Sequence, residues 1–276
     1  MADEQVKPAM DVLVIAHNHL ELTITCLQTL YKHTRTPFHL IVVDDSTDLT
    51  PLWLNQFCKE HDNVTYVHST TPYKTGNQIF NKAFEHCKTP FLTTVMNSIK
   101  VEPDWELGAL QVMNSDPKIG CVGMKCLLPN GYIESASIRM VKWLPCDMGR
   151  DNPGHRFSLT HEVEAVQWAF AMVRVEAAKG ILDENGFHGF RGWDDIDNCF
   201  VLKKAGWKIF YCGAGAGYHE PRATRGNDGP QAQQENKENG ERFYKRWGFW
   251  DEFIKENPGG IDIHAQPKNV VKAGVA

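Results

Sequence analysis

LIVVDDSTDLT, residues 40–50, passes from Leu40, Ile41, Val42 and Val43 to the adjacent acids Asp44 and Asp45, then to Ser46 and Thr47. A short apolar run without polar alternation suits a strand buried on both faces of a parallel sheet. Upstream, DVLVIA at 11–16 is a second run of this kind. Between the two, LELTITCLQTLYKHT places Leu20, Ile24, Leu27 and Leu30 at spacings of three and four, which predicts a helix. Downstream, a helix is expected over 51–61, a strand at VTYVH (64–68), a helix over 76–87 and a strand at FLTTVM (91–96). Pro103 is expected to open a helix containing Trp105, Leu107, Leu110 and Met113, and CVGMKCLL (121–128) to form a fifth strand before the Pro-Asn-Gly turn at 129–131. Alternation of this kind predicts a parallel sheet covered by helices.

Beyond residue 128 the rhythm changes. A loop-rich stretch over 143–163 is expected, then a strand at 166–174, a short helix at 175–181, a helix at 194–205 and the strand WKIFYC at 207–212. The Gly-, Asn-, Gln- and Arg-rich segment 221–239 predicts a mobile loop, and ERFYKRWGFWDEFI (241–254) an amphipathic helix docked on the body.

Composition narrows the function classes. The chain has 276 residues, 42% hydrophobic and 11% aromatic, enough for a sizeable core and unlike collagen, coiled coil or a disordered chain. With 29 Lys and Arg against 34 Asp and Glu, the net charge of −5 gives no general attraction to nucleic acid or anionic membranes. MADEQVKPAM lacks the apolar core of a secretory signal, and no apolar run is long enough to span a bilayer. The eight cysteines are scattered without a CxxC pair and read as reduced, packed thiols, so the expected compartment is cytoplasmic.

Ligands of open parallel sheets bind at the carboxyl ends of the strands. Three strands here end in polar residues: Ala16-His17-Asn18, Asp44-Asp45 and Asn97-Ser98. Helix capping accounts equally well for Ser46 and Thr47. It accounts less well for paired acids, one of which can accept a hydrogen bond from a pyrimidine N–H. GAGAG at 213–217 is not a dinucleotide loop, because it follows a late strand and leads into Tyr218-His219 rather than into a helix.

In order, VLVIAHN, LIVVDDSTDLT, GNQIFNKAFEHCKTPFLTTVMNS, VEPDWEL, AVQWAFAMVRVEAA, GWDDIDNCFVLKKAGWKIFYCGAGAGYHE and NGERFYKRWG resemble the succession of motifs in family 2 glycosyltransferases. The resemblance spans residues 10–250 and implies an α/β GT-A fold, a Rossmann-like, mostly parallel sheet flanked by helices. It also implies inverting transfer from a nucleoside-diphosphate sugar, with UDP the expected nucleotide. By resemblance Asp195 is the catalytic base, Asp194 fills the Glu slot before it, and Asp197 is a structural acid. Ala16, His17, Asn18, Asp44, Asp45, Asn81 and Asn97 fall in the nucleotide-binding slots, and Trp168 and Trp193 on the acceptor side. Ser98, His219 and Arg225 fall beside the diphosphate, with His219 the candidate metal ligand.

Three departures carry consequences, the first being that the glycine usual between the paired acids and the serine is missing from VDDSTD. His17 occupies a slot that is usually tyrosine, and Ser98 occupies the slot of the metal-binding acid. A neutral serine is a poor ligand for a hard dication. The Mn2+ or Mg2+ that the resemblance implies is therefore expected to be weakly held by His219 and the diphosphate, or replaced by Arg222 or Arg225. Ser98 leaves open an alternative, a catalytically degenerate protein that binds nucleotide-sugar or glycan. A sugar-1-phosphate nucleotidyltransferase is disfavoured, because no Gly-rich N-terminal loop with a following Arg and Lys is present. The acceptor stays open among a saccharide, a protein, a lipid-linked glycan and a modified nucleic acid. The expected organisation is a tail (1–9), a nucleotide-sugar-binding half (10–128), an acceptor-binding and catalytic half (129–220), a loop (221–239), and a C-terminal helix and tail (240–276).

Overall fold

A computed structural model describes residues 7–187, 189–190, 192–221, 223 and 229–258. The first half alternates as its apolar runs predict: β1 (Met10–Ala16), α1 (Leu20–His33), β2 (Phe38–Asp44), α2 (Thr50–Phe57), β3 (Val64–His68), α3 (Gly76–Phe84) and β4 (Phe91–Met96). After it come β5 (Ile99–Val101), α4 (Trp105–Ser115) and β6 (Ile119–Leu127). Pro103 precedes α4 rather than opening it, because Asp104 takes the N-cap position. The second half is richer in strands: β7 (Ile133–Ser135), β8 (Ser137–Val141), β9 (Leu144–Met148), β10 (His161–Glu162) and β11 (Phe170–Arg174). The chain then forms α5 (Val175–Ala178), α6 (Asp194–Lys204), β12 (Lys208–His219), α7 (Pro230–Arg246) and α8 (Trp250–Glu256).

Ten strands form one sheet, running β10-β12-β6-β11-β4-β1-β2-β3, with β5 beside β12 and β7 beside β6. The β4-β1-β2-β3 block and the β6–β12 pair are parallel, and β11 is antiparallel to both β4 and β6. Alternate residues of β1 enter different cores. Leu13 and Ile15 pack with Phe80 and Phe84 of α3, whereas Val12 and Val14 pack with Leu27 and Leu30 of α1. Burial on both faces is why the run carries no polar alternation. Each fully buried Val or Leu gains on the order of 2 kcal/mol against exposure, before chain entropy is counted.

Three expectations are corrected. The loop expected over 143–163 contains β9, which forms a hairpin with β8, and the two-residue β10. These strands are short and only partly buried, so no apolar run announces them. Of the loop expected over 221–239, residues 230–239 are helical, with Pro230 opening α7, while 222 and 224–228 lie outside the described residues. Proline suits a first helical turn, and the Gln, Glu and Lys that suggest a loop by polarity are good helix formers. GAGAG lies inside β12. A Cβ at Gly213 would sit 2.3 Å from the Ser158 carbonyl carbon, and one at Gly215 would sit 2.4 Å from the Trp105 carbonyl oxygen. Glycine there admits neighbouring backbone. Among the described residues no helix is long and apolar enough to cross a membrane.

Candidate active site

A cavity of about 580 Å³ opens at the carboxyl ends of β1 and β4. The strand order reverses at β1, with β2 on one side and β4 on the other, and such a reversal leaves a crevice. His17, Asp45, Asn97, Ser98, Asp195 and His219, far apart in sequence, all line it.

At one end, His17 Nδ1 donates to Asp45 Oδ1 at 2.7 Å, and the Tyr73 backbone N–H donates to Asp45 Oδ2 at 2.8 Å. The hydrogen bond to Asp45 raises the pKa of His17 above its ordinary value, against the opposing effect of burial. The turn behind these residues is built on Asn18 and His19, both left-handed at φ 53° and 56°. Asn18 N–H donates to Ser46 Oγ at 2.7 Å, and its side-chain oxygen accepts from Thr47 N–H at 2.8 Å. Asn18 thus clips the β1 loop to the β2 loop.

Asn97 Nδ2 donates to Thr23 Oγ1 at 3.0 Å and to the Asn18 carbonyl at 3.2 Å, which fixes the floor of the cavity. Ser98 beside it is 3% exposed, and its carbonyl accepts from Glu220 N–H at 3.0 Å. That bond joins the end of β4 to the end of β12. His219 Nδ1 donates to Glu134 Oε2 at 2.6 Å, and Nε2 has no protein partner among the described residues.

The acids of α6 separate by role. Asp195 faces the cavity. Asp194 instead turns toward α3, where a methyl group on Gly76 would lie 3.0 Å from its Oδ2. Asp197 is 1% exposed and accepts from Trp247 Nε1 at 2.8 Å and Arg246 Nη1 at 2.9 Å. Burial pushes its carboxyl up, against the pull of the indole N–H and the guanidinium. Asp197 therefore fastens the C-terminal part of α7 to the first turn of α6, leaving Asp195 on a braced helix.

Several sequence candidates lie off the cavity wall. Asp44 is fully buried, accepting from Ser46 N–H at 2.9 Å, Tyr66 hydroxyl at 2.7 Å and His68 Nδ1 at 3.1 Å. It organises the β2 end, and Asp45 alone of the pair reaches the cavity. Ala16 is buried within the sheet. Asn81 Nδ2 donates to the Leu182 carbonyl at 3.2 Å and to Glu184 Oε1 at 2.9 Å, tethering α3 to the turn after α5. Trp168 points to the other side from Gln167 and Ala169, which line the cavity; its ring meets Phe80 edge-on and Nε1 donates to Cys199 Sγ at 3.4 Å. Trp193 packs against Phe243 and Tyr244. Arg222 and Arg225 lie outside the described residues.

Six polar or aromatic residues of the wall carry no mark as site candidates in the sequence motifs: Tyr73, Glu134, Asp147, Arg150, Gln167 and Phe190. Asp147 accepts from Arg150 Nη1 at 3.1 Å and Gln167 Nε2 at 3.1 Å. Burial raises its carboxyl above the usual range, with Glu134 adding to the shift and Ser135, Arg150 and Gln167 opposing it. Gln167 precedes β11, at the start of the stretch 166–174 that the sequence predicts as a strand and of which only Phe170–Arg174 is one.

The donor set does not fit a cation cage. Among the described residues, no three His, Cys, Asp or Glu side chains are grouped to hold a metal ion. Ser98 contributes a neutral oxygen where a hard dication prefers carboxylate, which leaves His219 Nε2, oriented by the Nδ1 bond to Glu134, as the candidate donor.

A Rossmann-like half joined to an antiparallel insert around this crevice defines the GT-A class of nucleotide-sugar transferase. The family described as Glycosyl transferase family 2 matches residues 11–182, and the chain belongs to it. Solved structures share the fold. GalNAc-T7 with UDP, GalNAc and Mn2+ has a TM-score of 0.65 at 13% identity, over 91% of this chain and 54% of its own. The mannosyltransferase PcManGT from Pyrobaculum calidifontis, in complex with GDP-Man and Mn2+, gives 0.58 at 15% identity, over 91% of this chain and 74% of its own. TarS 1–349 from S. aureus gives 0.56 at 15% identity, over 91% of this chain and 81% of its own. The uncharacterized protein y4gI of Sinorhizobium fredii is 23% identical over 256 residues, which are 88% of this chain and 28% of that protein. The chain thus spans well under half of that relative.

Proposed function

We propose that the protein transfers a sugar from a nucleoside diphosphate, UDP in the first instance, to an acceptor hydroxyl with inversion. The observation that carries this reading is the gathering of His17, Asp45, Asn97, Ser98, Asp195 and His219 on one cavity of a family 2 glycosyltransferase fold. The nucleoside lies against His17, Asp45 and Tyr73, and the diphosphate beside Asn97, Ser98 and His219. Asp195 accepts the proton of the acceptor hydroxyl, whose oxygen attacks the anomeric carbon from the face opposite the diphosphate. The bond from that carbon to the diphosphate breaks, and the electron pair leaves with the nucleotide. Donors aimed at the departing oxygens lower the barrier, a role that falls to His219 and, by its place in the sequence alone, to Arg225. The GT-A neighbours solved with Mn2+ support a divalent cation here as well; with Ser98 in the acid's slot it would be held weakly, by His219 and the diphosphate, or replaced by Arg225.

The neutral Ser98 favours one second reading, a protein that holds the nucleotide-sugar without turnover. Nucleotide release from UDP-sugars, measured with and without a panel of saccharide, peptide and lipid-linked acceptors, separates the two. The lack of a processive QxxRW motif supports addition of a single sugar, and the mostly buried free thiols support a cytoplasmic compartment.

A further inference from the structure

Asp147, Arg150 and Gln167 face the cavity and have no part in the chemistry above. Asp147 bonds Gln167 through one carboxylate oxygen and Arg150 through the other, so the three groups are fixed relative to one another. They keep unused capacity. A carboxylate offers about four lone-pair sites; Arg150 and Gln167 take two of those here, and Ser135 also bonds to the group. Among the described residues Gln167 Oε1 accepts no hydrogen bond and Arg150 donates only through Nη1, and Arg150 is 36% exposed. Acceptors and donors thus alternate along one wall. A sugar hydroxyl both donates and accepts, so a ring with adjacent hydroxyls matches such a wall.

Position selects which ring this is. Glu134 lies close enough to Asp147 to raise its pKa, and the same Glu134 is bonded to His219 at 2.6 Å. The cluster therefore adjoins the end of the cavity assigned to the diphosphate, where the sugar still attached to the nucleotide must sit. Charge selects what kind of sugar. Asp45, Glu134, Asp147 and Asp195 line the cavity, and the basic side chains beside them, His17, His219 and Arg150, are each already engaged by one of these acids. A carboxylate-bearing sugar would be desolvated there among like charges.

We infer that Asp147, Arg150 and Gln167 read the hydroxyls of the transferred sugar, and that this sugar is uncharged. The inference rests on the nucleotide-sugar reading of the cavity. The competing explanation is structural, with the Asp147–Arg150 pair merely closing the turn after β9.

The test is calorimetric, with UDP, UDP-glucose, UDP-glucuronate, GDP, GDP-mannose and GDP-mannuronate as probes, on the wild type, Asp147→Asn and Gln167→Ala. The second variant keeps the Asp147–Arg150 pair and serves if the first fails to fold. In the wild type a neutral donor binds about ten-fold tighter than its uronate counterpart. In either variant the neutral donor's advantage over the bare nucleotide falls to about two-fold or less, while bare-nucleotide affinity stays the same. Tighter binding of a uronate donor overturns the inference. So does an unchanged donor advantage accompanied by a raised acceptor KM, or an equal loss of affinity for bare nucleotide and donor. If the wild type binds no nucleotide at all, the parent reading falls and takes this one with it.

Discussion

His17 Nδ1 and Asp45 Oδ1 meet at 2.7 Å where β1 and β2 end side by side. Each residue directly follows one of two strands that pair in register from Met10 and Phe38 to Ala16 and Asp44, so the sheet itself delivers the contact.

The pair makes stability depend on pH. His17 has its pKa raised above 6.5 in the folded protein, first by the hydrogen bond to Asp45. A group with a raised folded pKa contributes stability that is full below its unfolded pKa and lost as pH rises through the folded one. Melting temperature is therefore expected to fall between about pH 6 and about pH 8 by more in the wild type than in His17→Gln. Equal pH slopes in the two proteins would remove this pair as the cause. His17 is 43% exposed, so solvent screening keeps the effect small.

Asp197 is expected to act on stability alone. Asp197→Ala leaves Trp247 and Arg246 without their shared acceptor and lowers unfolding free energy by about 2 kcal/mol in urea titration. Affinity for UDP should stay within about two-fold of wild type at temperatures where the variant is folded. A variant of normal stability that no longer binds UDP would place Asp197 in the site instead.

Gly215→Ala tests the reading of GAGAG as a close-packed strand. The added methyl meets the Trp105 carbonyl oxygen at 2.4 Å, and backbone cannot yield as a side chain does. A loss of about 2 kcal/mol is expected by denaturant titration. A neutral substitution would show that α4 moves aside without cost.

Metal removal follows from Ser98. EDTA is expected to lower the transfer rate by less than about ten-fold, because no carboxylate of the protein stands in the usual ligand slot. Ser98→Asp should raise the sensitivity to EDTA. Complete loss in EDTA with recovery on adding Mn2+ would contradict the proposed weak dependence on metal.

The fold was largely legible where burial on both faces writes an uninterrupted apolar run, as at β1, β2 and β4. It was hidden where strands are short and half exposed, as at β8 and β9, and where polarity reads as a loop although the residues favour helix, as at Pro230–Asn239. The site divides the same way. His17, Asp45 and Asn97 stand at strand ends, which sequence locates well. Asp44 and Asn81 sit in recognisable slots, yet their side chains are engaged by Tyr66 and His68 in one case and by the 182–184 turn in the other. Trp168 lies in the turn before β11, buried between Gln167 and Ala169, which line the wall. Glu134 and Asp147 come from short strands with no recognisable pattern, and only the folded chain brings them to His219 and Gln167.

The central claim is that Asp195 removes the acceptor proton in a cavity that holds the donor independently of it. The most direct measurement is the single-turnover transfer rate of wild type and Asp195→Asn, with the dissociation constant for UDP-sugar measured on the same preparations. The predicted result is a rate loss of about 10³-fold with donor affinity within about two-fold. An undiminished rate in Asp195→Asn would contradict the claim.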